Sequence, residues 1–343
     1  MKRIGYKFNL ILSRFNRGFI YAMLICLAVV GCAGCSSKKQ EDENGIKVVT
    51  TIFPAYDFAS QIGMDKISVD LLLAPGTESH SYEPSPQDII RISESDVFIY
   101  VGGENDSWVD DILSTIDLSN IKVIKLMDCV EVVEEEYVEG MEQDKKHHDE
   151  HDDDDDEHDH SEWDEHVWTS PVNAIKISEK IKDVLTEIDK ENNQFYEENY
   201  NQYKGKLEEL DQAFKQVTAN GKRKELIFGD RFPVRYFTEE YGLKYYAAFP
   251  GCSADTEPSA ATVAFLINKV KEDNIPVVLQ IELSTGNIAR TICEETGAKL
   301  YTFYACHNLT KEDFKAGKTY LDFMWENVET LKLLEGYIDI YLP

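Results

Sequence analysis

Three histidines stand apart from the other histidines of this chain, and the imidazole side chain is a strong ligand for transition metals. The chain has eight histidines, of which His80, His166 and His307 lie far apart, each in a regularly patterned segment. Neutral imidazole nitrogens bind Zn²⁺, and three of them with a carboxylate or a water complete a tetrahedral site. We therefore expect His80, His166 and His307 to converge on one metal ion.

The other five histidines lie together in an acidic stretch at residues 131–165, which contains 19 acidic residues and two lysines. They are His147, His148, His151, His158 and His160. The stretch has too few apolar residues to form a core, and we expect it to be disordered. The interleaved imidazoles and carboxylates favour an accessory loop that collects metal ions over a plain acidic linker.

Composition and charge narrow the classes of function. The chain has 343 residues, of which 43% are hydrophobic, and this length and composition are typical of a globular protein with two domains. The formal net charge of −29 would repel nucleic-acid phosphates, so we expect no nucleic-acid partner. The same negative charge favours cations as ligands of the chain.

Two parts of the chain show the same alternation of strands and helices. Residues 46–130 and residues 225–343 each contain four β-branched or apolar runs separated by amphipathic segments. Such alternation predicts an α/β fold, here two similar βα lobes with mainly parallel sheets. We place the N-terminal metal-binding lobe at residues 46–170 and the C-terminal metal-binding lobe at residues 221–343.

The chemically active side chains follow predicted strands. His80 comes just after the second strand, and His307 comes at the end of the last one. Asp230 and Glu282 also lie at strand ends in the C-terminal lobe, which makes them candidates for a fourth ligand. Ligands of parallel sheets bind at the carboxyl ends of the strands, so this is where a site is expected.

Residues 171–220 are predicted to form a connecting helix, with a possible break near Asn192 and Asn193. Ser170 and Pro171 are a favourable helix start. Apolar residues then recur at helical spacing. They are Tyr196, Tyr200, Tyr203, Leu207, Leu210, Phe214 and Val217. A helix over residues 191–220 would be about 45 Å long, which predicts a rigid connector between the lobes.

The first residues have the pattern of a lipoprotein signal peptide, placed at residues 1–35 and followed by a tether at residues 36–45. A basic segment precedes a short apolar run that ends in VVGCAGCSS. This end looks like a lipobox, with Cys32 favoured over Cys35 as the lipidated residue. An uncleaved membrane anchor is the alternative interpretation.

The remaining cysteines are Cys129, Cys252, Cys293 and Cys306. No two of them have CxxC spacing, so a thiolate zinc cluster is not expected. A disulfide such as Cys252–Cys306 and a set of buried free thiols are both compatible with the sequence.

Several segments, in order, resemble the metal-binding lipoproteins of bacterial ABC importers, the cluster that carries zinc or manganese. They are the lipobox, PGTESHSYEPSP, the acidic histidine-rich stretch, DEHVWTSP, the long helix, RYFTEEYGL and EPSAATVAFL. The resemblance covers essentially the whole mature chain. It implies two similar lobes joined by one long rigid helix, with little movement on metal binding.

The resemblance also implies a ligand set. The first loop and the HVW segment supply His80 and His166. The family's third ligand lies five residues before Tyr236, a position that Arg231 occupies here, and an arginine cannot bind a cation. His307 stands at the family's fourth position, so the C-terminal lobe would supply its histidine from a different strand end. Arg231 would then pair with one of the two strand-end carboxylates.

The function implied is capture of Zn²⁺ by a monomer at the outer face of the cell membrane and its delivery to an ABC metal permease and its ATPase. Three imidazoles favour zinc over manganese, which prefers more oxygen ligands. A receptor for manganese or another divalent metal, a surface adhesin or metal buffer, and a zinc hydrolase are the alternatives. The chain has no HExxH motif, and we expect it not to be an enzyme.

Overall fold

The strands form two parallel sheets, one from each predicted βα segment. The computed structural model describes residues 45–77, 82–142, 163–253, 257–334 and 336. The N-terminal lobe contains β1 (Ile46–Thr50), β2 (Ile67–Leu71), β3 (Val97–Tyr100) and β4 (Lys122–Lys125), in the order β2-β1-β3-β4. The C-terminal lobe contains β5 (Glu225–Phe232), β6 (Lys244–Pro250), β7 (Val277–Gln280) and β8 (Lys299–Thr302), in the order β6-β5-β7-β8. The predicted fold class is confirmed.

Helices connect and cover these strands. In the described ranges they are α1 (Phe53–Gly63), α2 (Pro86–Ser93), α3 (Ser107–Thr115), α4 (Pro171–Ile188), α5 (Asn193–Asn220), α6 (Arg235–Tyr241), α7 (Ala260–Glu272), α8 (Asn287–Thr296), α9 (Lys311–Ala316) and α10 (Tyr320–Leu334). Short 3₁₀ segments at Met64–Lys66, Leu126–Cys129, Val167–Thr169 and Lys190–Asn192 complete the regular structure. The sequence prediction did not include α9.

The two sheets have the same strand order, and this order determines where a site can form. In each lobe the first strand pairs with the second on one side and with the third on the other. The connections therefore leave in opposite directions at the carboxyl ends of β1 and β3, and again at those of β5 and β7. Such a switch point opens a crevice at the sheet edge.

The long helix α5 was predicted correctly from its apolar stripe. All seven apolar residues of the predicted stripe are buried. The helix has 28 residues and packs against α1, α4 and α10, so elements of both lobes share one continuous apolar core around it. A rigid rod packed in this way cannot act as a flexible hinge.

The predicted connecting helix at residues 171–220 is two helices, Pro171–Ile188 and Asn193–Asn220. The chain leaves helical geometry at Asp189, three residues before the possible break predicted near Asn192 and Asn193. Its backbone angles there are φ −127° and ψ 78°. The Asp189 carboxylate accepts hydrogen bonds from the Asn192 backbone and side chain and from the Tyr196 hydroxyl, at 3.4, 2.7 and 2.7 Å. An aspartate that bonds nearby groups in this way stabilises a turn over a helix. The connector is α5 alone.

Both ends of the stretch at residues 131–165 are folded, so the prediction that all of it is disordered is wrong there. Glu134 forms an antiparallel bridge with Trp163, and Met141 is buried. The Glu142 backbone N–H donates to the Ala248 carbonyl at 3.0 Å, which ties this end to β6. Residues 143–162, with all five histidines of the proposed accessory loop, lie outside the described residues.

The proposed signal peptide, the lipidation candidate Cys32 and most of the tether also lie outside the described residues. No helix in the described ranges is both long and apolar enough to cross a membrane. Cys129, Cys252, Cys293 and Cys306 are free thiols in the structure, so the possible Cys252–Cys306 disulfide is not present.

Candidate metal centre

His166 is held rigidly at the junction before α4. Its side chain is fully buried, and the chain continues through the 3₁₀ segment Val167–Thr169 into the helix. The Asp164 carboxylate oxygen Oδ1 accepts from the His166 backbone N–H at 2.8 Å and lies 3.0 Å from its ring nitrogen Nδ1. An ionised carboxylate only accepts, so Nδ1 carries the proton and Nε2 keeps its lone pair. A histidine in this tautomer can bind a metal ion through Nε2.

The electrostatic surroundings of His166 favour positive charge. Burial alone would lower the pKa of this imidazole, but the charges of Asp164, Glu165 and Glu135 and the Asp164 hydrogen bond raise it above its ordinary value of 6.5. A pocket that stabilises a protonated imidazole also stabilises a bound cation, because both bring positive charge to the same buried position.

His307 lies in the loop that follows β8, and a partly buried carboxylate fixes the loop's backbone. The Glu282 oxygens Oε2 and Oε1 accept from the backbone N–H groups of Ala305 and His307 at 2.8 and 2.9 Å. Burial raises the pKa of Glu282 to about 7. Cys306, between the two donors, has φ +62°, an uncommon conformation for a residue other than glycine. Such backbone strain is often found at functional sites.

The structure brings His166 and His307 together, although 141 residues separate them in sequence. Their ring centres are 5.4 Å apart with an interplanar angle of 87°. The buried Trp168 ring lies against both, with its centre 5.5 Å from that of His166 and 4.9 Å from that of His307. The Trp168 indole N–H donates to the Ala305 carbonyl at 2.8 Å, which fixes the ring between the two lobes.

Two small cavities flank His307, one at the switch point of each sheet. One, of about 30 Å³, is lined by residues at the ends of β5 and β7, including Arg231 and Glu282. The other, of about 20 Å³, is lined by residues that follow β1 and β3, including Thr51 and Val101, and by Glu165. A cavity of this size accommodates about one water-sized group. The space therefore suits a single ion and not an organic molecule.

Asp230 and Arg231 take different roles at the end of β5. The Asp230 carboxylate accepts from the backbone N–H groups of Arg231 and Ile281 at 2.9 and 3.4 Å, and burial raises the pKa of this carboxyl. Arg231 lines the cavity beside Glu282 and His307, whereas Asp230 is not among the residues that line it. Of the two proposed carboxylate ligands, only Glu282 borders the cavity next to a histidine.

His80 lies outside the described residues, which stop at Thr77 and resume at Tyr82. Thr77 lines the cavity beside Arg231, and Tyr82 lines the cavity beside Glu165. The chain on either side of His80 therefore borders the two cavities that flank His307. Among the described residues no group of three or more His, Cys, Asp or Glu side chains is arranged to hold a metal ion.

Three residues of this centre were missed by the sequence analysis as contributors. Asp164 precedes His166 by two residues, and this spacing in DEHVW was the available signal. Trp168 belongs to the HVW segment, but the sequence analysis assigned it no role. Asn308, whose amide nitrogen bonds the Ala74 and Thr77 carbonyls at 2.9 Å each, had no signal in the sequence.

Comparison with known proteins agrees with this architecture. The profile of the family described as zinc-uptake complex component A, periplasmic, matches residues 48–333. The chain is 35% identical over 319 residues to the high-affinity zinc uptake system protein ZnuA of Bacillus subtilis, and the match covers 91% of this chain and 96% of that protein. It is 34% identical over 314 residues to the zinc-binding lipoprotein AdcA of Streptococcus pneumoniae.

The likeness extends to three dimensions. The crystal structure of the Zn(II)-bound ZnuA-like domain of the pneumococcal AdcA superposes with a TM-score of 0.69 at 32% identity, and covers 85% of this chain and 99% of that domain. The match with full-length AdcA spans only 60% of the length of that relative. From the family match over residues 48–333 and the near-complete coverage of the Bacillus relative, the chain belongs to the zinc-uptake complex component A family.

Proposed function

We propose that this chain is a receptor on the extracytoplasmic face of the cell membrane that captures Zn²⁺ and delivers it to an ABC-type metal permease. Its family is described as the periplasmic component of a zinc-uptake complex, which supports both the cargo and the partner. The permease and its ATPase would take the ion from the loaded receptor. Lipidation at Cys32 would keep the receptor at the membrane, as the word lipoprotein in a relative's name suggests.

The observation that carries the proposal is the distance between His166 and His307. Two imidazoles that bind one tetrahedral zinc ion through nitrogens about 2.0–2.1 Å from the metal have ring centres about 5 Å apart. The observed separation is 5.4 Å. His80 is the proposed third ligand, and Glu282 or a water is the proposed fourth. Asp230 is less well supported as a ligand, because its carboxylate bonds the β5 and β7 backbone.

The donor set favours zinc over manganese. Imidazole nitrogens suit Zn²⁺, whereas Mn²⁺ prefers sites with more oxygen ligands. The described part of the centre provides two imidazoles. The carboxylates that line its cavities are those of Glu282, Asp106 and Glu165, and each already accepts hydrogen bonds from neighbouring groups. Glu282 also argues against a zinc hydrolase, since both oxygens of this possible general base accept backbone hydrogen bonds and fix the His307 loop.

The five histidines within residues 143–162 would form an accessory, weaker binding stretch. The chain would then carry one tight site and several loose ones, with the loose ones raising the local concentration of zinc. An adhesin or metal buffer in which this stretch is the main actor is the competing proposal. The two proposals differ in which change removes tight binding: substitution of the site histidines in the first, deletion of residues 143–162 in the second.

The test is zinc titration, by competition with a chromophoric chelator, of the chain without residues 143–162. The folded flanks at residues 131–142 and 163–165 stay in place. We expect one tight site, with His166→Ala and His307→Ala each weakening it by at least about a hundredfold through loss of a ligand. Affinity should also fall as the pH decreases, because protons compete with zinc for the imidazoles, and the raised pKa of His166 makes this fall begin at a higher pH than for an ordinary histidine.

A substitution on the surface, away from the histidines, supplies the control. Lys204→Ala, in an exposed ion pair with Glu208 on α5, should leave the titration unchanged. If both histidine variants bind zinc as tightly as the parent, the proposed ligand set is wrong. If instead removal of residues 143–162 alone abolishes tight binding, the buffer proposal is favoured.

A further inference from the structure

The loop that carries His307 belongs to the C-terminal lobe in sequence but is hydrogen-bonded to the N-terminal lobe. The Ala305 carbonyl accepts from the Trp168 indole at 2.8 Å. The His307 carbonyl accepts from the Phe53 backbone N–H at 3.4 Å, and the Leu309 carbonyl accepts from that of Gly76 at 2.7 Å. Within the five residues from Ala305 to Leu309, three backbone carbonyls therefore accept hydrogen bonds from the N-terminal lobe.

Asn308 adds the side-chain part of this connection. Its amide nitrogen Nδ2 donates to the carbonyls of Ala74 and Thr77, both at 2.9 Å, and its Oδ1 accepts from the Leu309 backbone N–H at 2.9 Å. The residue is 3% exposed. Both hydrogens of the amide and its oxygen are used, so an aspartate, which has no donor, could not replace it.

The position of Asn308 gives these bonds a consequence for metal binding. The residue directly follows His307, and the preceding Cys306 is in the left-handed region at φ +62°. A strained backbone keeps its conformation only where surrounding contacts impose it. On one side Glu282 provides such contacts through two backbone N–H groups, and on the other Asn308 provides them through two carbonyls.

We propose that Asn308 is a positioning residue for zinc: it holds His307 against the N-terminal lobe, beside His166, without touching the ion. This proposal rests on the proposed function, in which both histidines are ligands. The His166–His307 pair would then be assembled before metal arrives, and binding would not have to pay for ordering the loop. Groups that orient a ligand in this way typically contribute about 10–100-fold in metal affinity.

The experiment compares variants of the full chain, stripped of metal, in a zinc titration against a chromophoric chelator, with urea unfolding of the zinc-free proteins alongside. Asn308→Ala is the test, and Asn199→Ala is the matched control. Asn199 also donates an amide hydrogen to a carbonyl of another element, that of Ile62, at 2.9 Å, but it lies on α5 away from the cavities. His307→Ala reports on the proposed function itself.

We expect Asn308→Ala to weaken tight zinc binding by about 10–100-fold and Asn199→Ala to change it by less than about twofold. Asn308→Ser, which keeps a small polar side chain, should lie between the parent and the alanine variant and serves if that variant does not fold. The visible spectrum of the cobalt-loaded Asn308→Ala protein should keep the parent's bands, because no ligand is lost.

Three results would overturn the proposal. If His307→Ala loses zinc while Asn308→Ala binds within about twofold of the parent, His307 is a ligand that needs no such positioning, and only this inference fails. If His307→Ala itself binds like the parent, the ligand set fails and the inference fails with it. If Asn199→Ala loses as much zinc affinity as Asn308→Ala, the loss reflects general destabilisation of the fold and not positioning of His307. This result also contradicts the proposal.

Discussion

Asp164 determines how His166 presents its ring. The carboxylate accepts from both the backbone and Nδ1 of the same residue, so ring orientation and tautomer are fixed together. Metal-binding histidines commonly have such a partner, and removing it weakens metal binding by about 10–100-fold. The negative charge also raises the pKa of His166 against the effect of burial. Asp164 therefore contributes geometry and charge to the same site.

Asp164→Asn should weaken zinc binding by about tenfold at pH 7.5, because an amide keeps an acceptor at this position but removes the charge and allows the other tautomer. The measurement is the chelator competition described above. Asp183→Asn, which changes an exposed aspartate paired with Lys182 on α4, is the control and should bind like the parent. Equal affinity of the two variants would mean that Asp164 has no part in the site.

The residues that the sequence located and those that it did not differ in a physical way. His166 and His307 were singled out because imidazole is rare in this chain outside the acidic stretch and each lies next to a recognisable element, His166 before the start of α4 and His307 after β8. Asn308 was not found, because it acts through carbonyl groups of Ala74 and Thr77, and any residue has a carbonyl. When a side chain bonds a backbone group, the sequence does not identify which residue supplies that group.

At the scale of elements, the loop after β6 approaches the metal centre as closely as van der Waals contact allows. A Cβ atom placed on Gly251 would lie 3.0 Å from Cε1 of His166 and 2.9 Å from the Phe232 carbonyl oxygen. Both distances are shorter than ordinary contacts, and neither the backbone nor the fixed His166 ring can yield easily. A glycine at this position thus lets β6 close over the buried histidine.

Gly251→Ala should therefore destabilise the protein by about 1–3 kcal/mol and weaken zinc binding by displacing the His166 ring. Urea unfolding and zinc titration measure the two effects. Gly205→Ala is the matched control: a Cβ there has no neighbour within 4 Å, and alanine in the middle of α5 should stabilise by about 0.5–1 kcal/mol with zinc affinity unchanged. Similar zinc affinities for both variants would contradict this account of the loop.

Elements were predictable where burial is periodic and were missed where it is not. The eight strands and the stripe of α5 follow from apolar residues at regular spacing. The turn at Asp189 depends on side-chain hydrogen bonds to Asn192 and Tyr196, and the sequence indicated it only as a possible break near Asn192 and Asn193. Residues 131–142 were assigned to disorder from their acidic composition, yet bonds such as Glu142 to Ala248 involve only the backbone.

At the scale of the whole molecule, negative charge and buried acids act in the same direction. The chain carries a formal net charge of −29, and several carboxyls are buried in the fold. Burial raises the pKa of Asp57 to about 6, although Gln61, Tyr203 and the Tyr320 backbone donate to it. Burial raises the pKa of Asp106 to about 6 as well. Protonation at acidic pH reduces the repulsion between negative charges and neutralises these buried carboxyls. Both changes favour the folded state.

We expect the free energy of unfolding of the metal-free protein to fall as pH rises from about 4 to about 6. In this range the folded state still holds protons on Asp57 and Asp106 that the unfolded chain, with an ordinary pKa of 3.8, has released. Asp57→Asn should reduce this dependence by up to about 3 kcal/mol. Urea unfolding at pH 4.5 and 6.5 measures it, and Asp183→Asn should retain the parent's slope. A parent whose stability is constant or increases over this range would contradict the assignment.

The anchoring of both flanks of residues 143–162 bears on how this family can vary. Glu142 is bonded to Ala248, and Trp163 is bridged to Glu134, so the intervening residues join two fixed points of one fold. The entropy of closing a chain between fixed points grows only with the logarithm of its length, and doubling it costs about 0.6 kcal/mol. Under the proposed function, a change in the number of histidines between these two fixed points would alter the accessory binding while the positions of His166 and His307 stay the same.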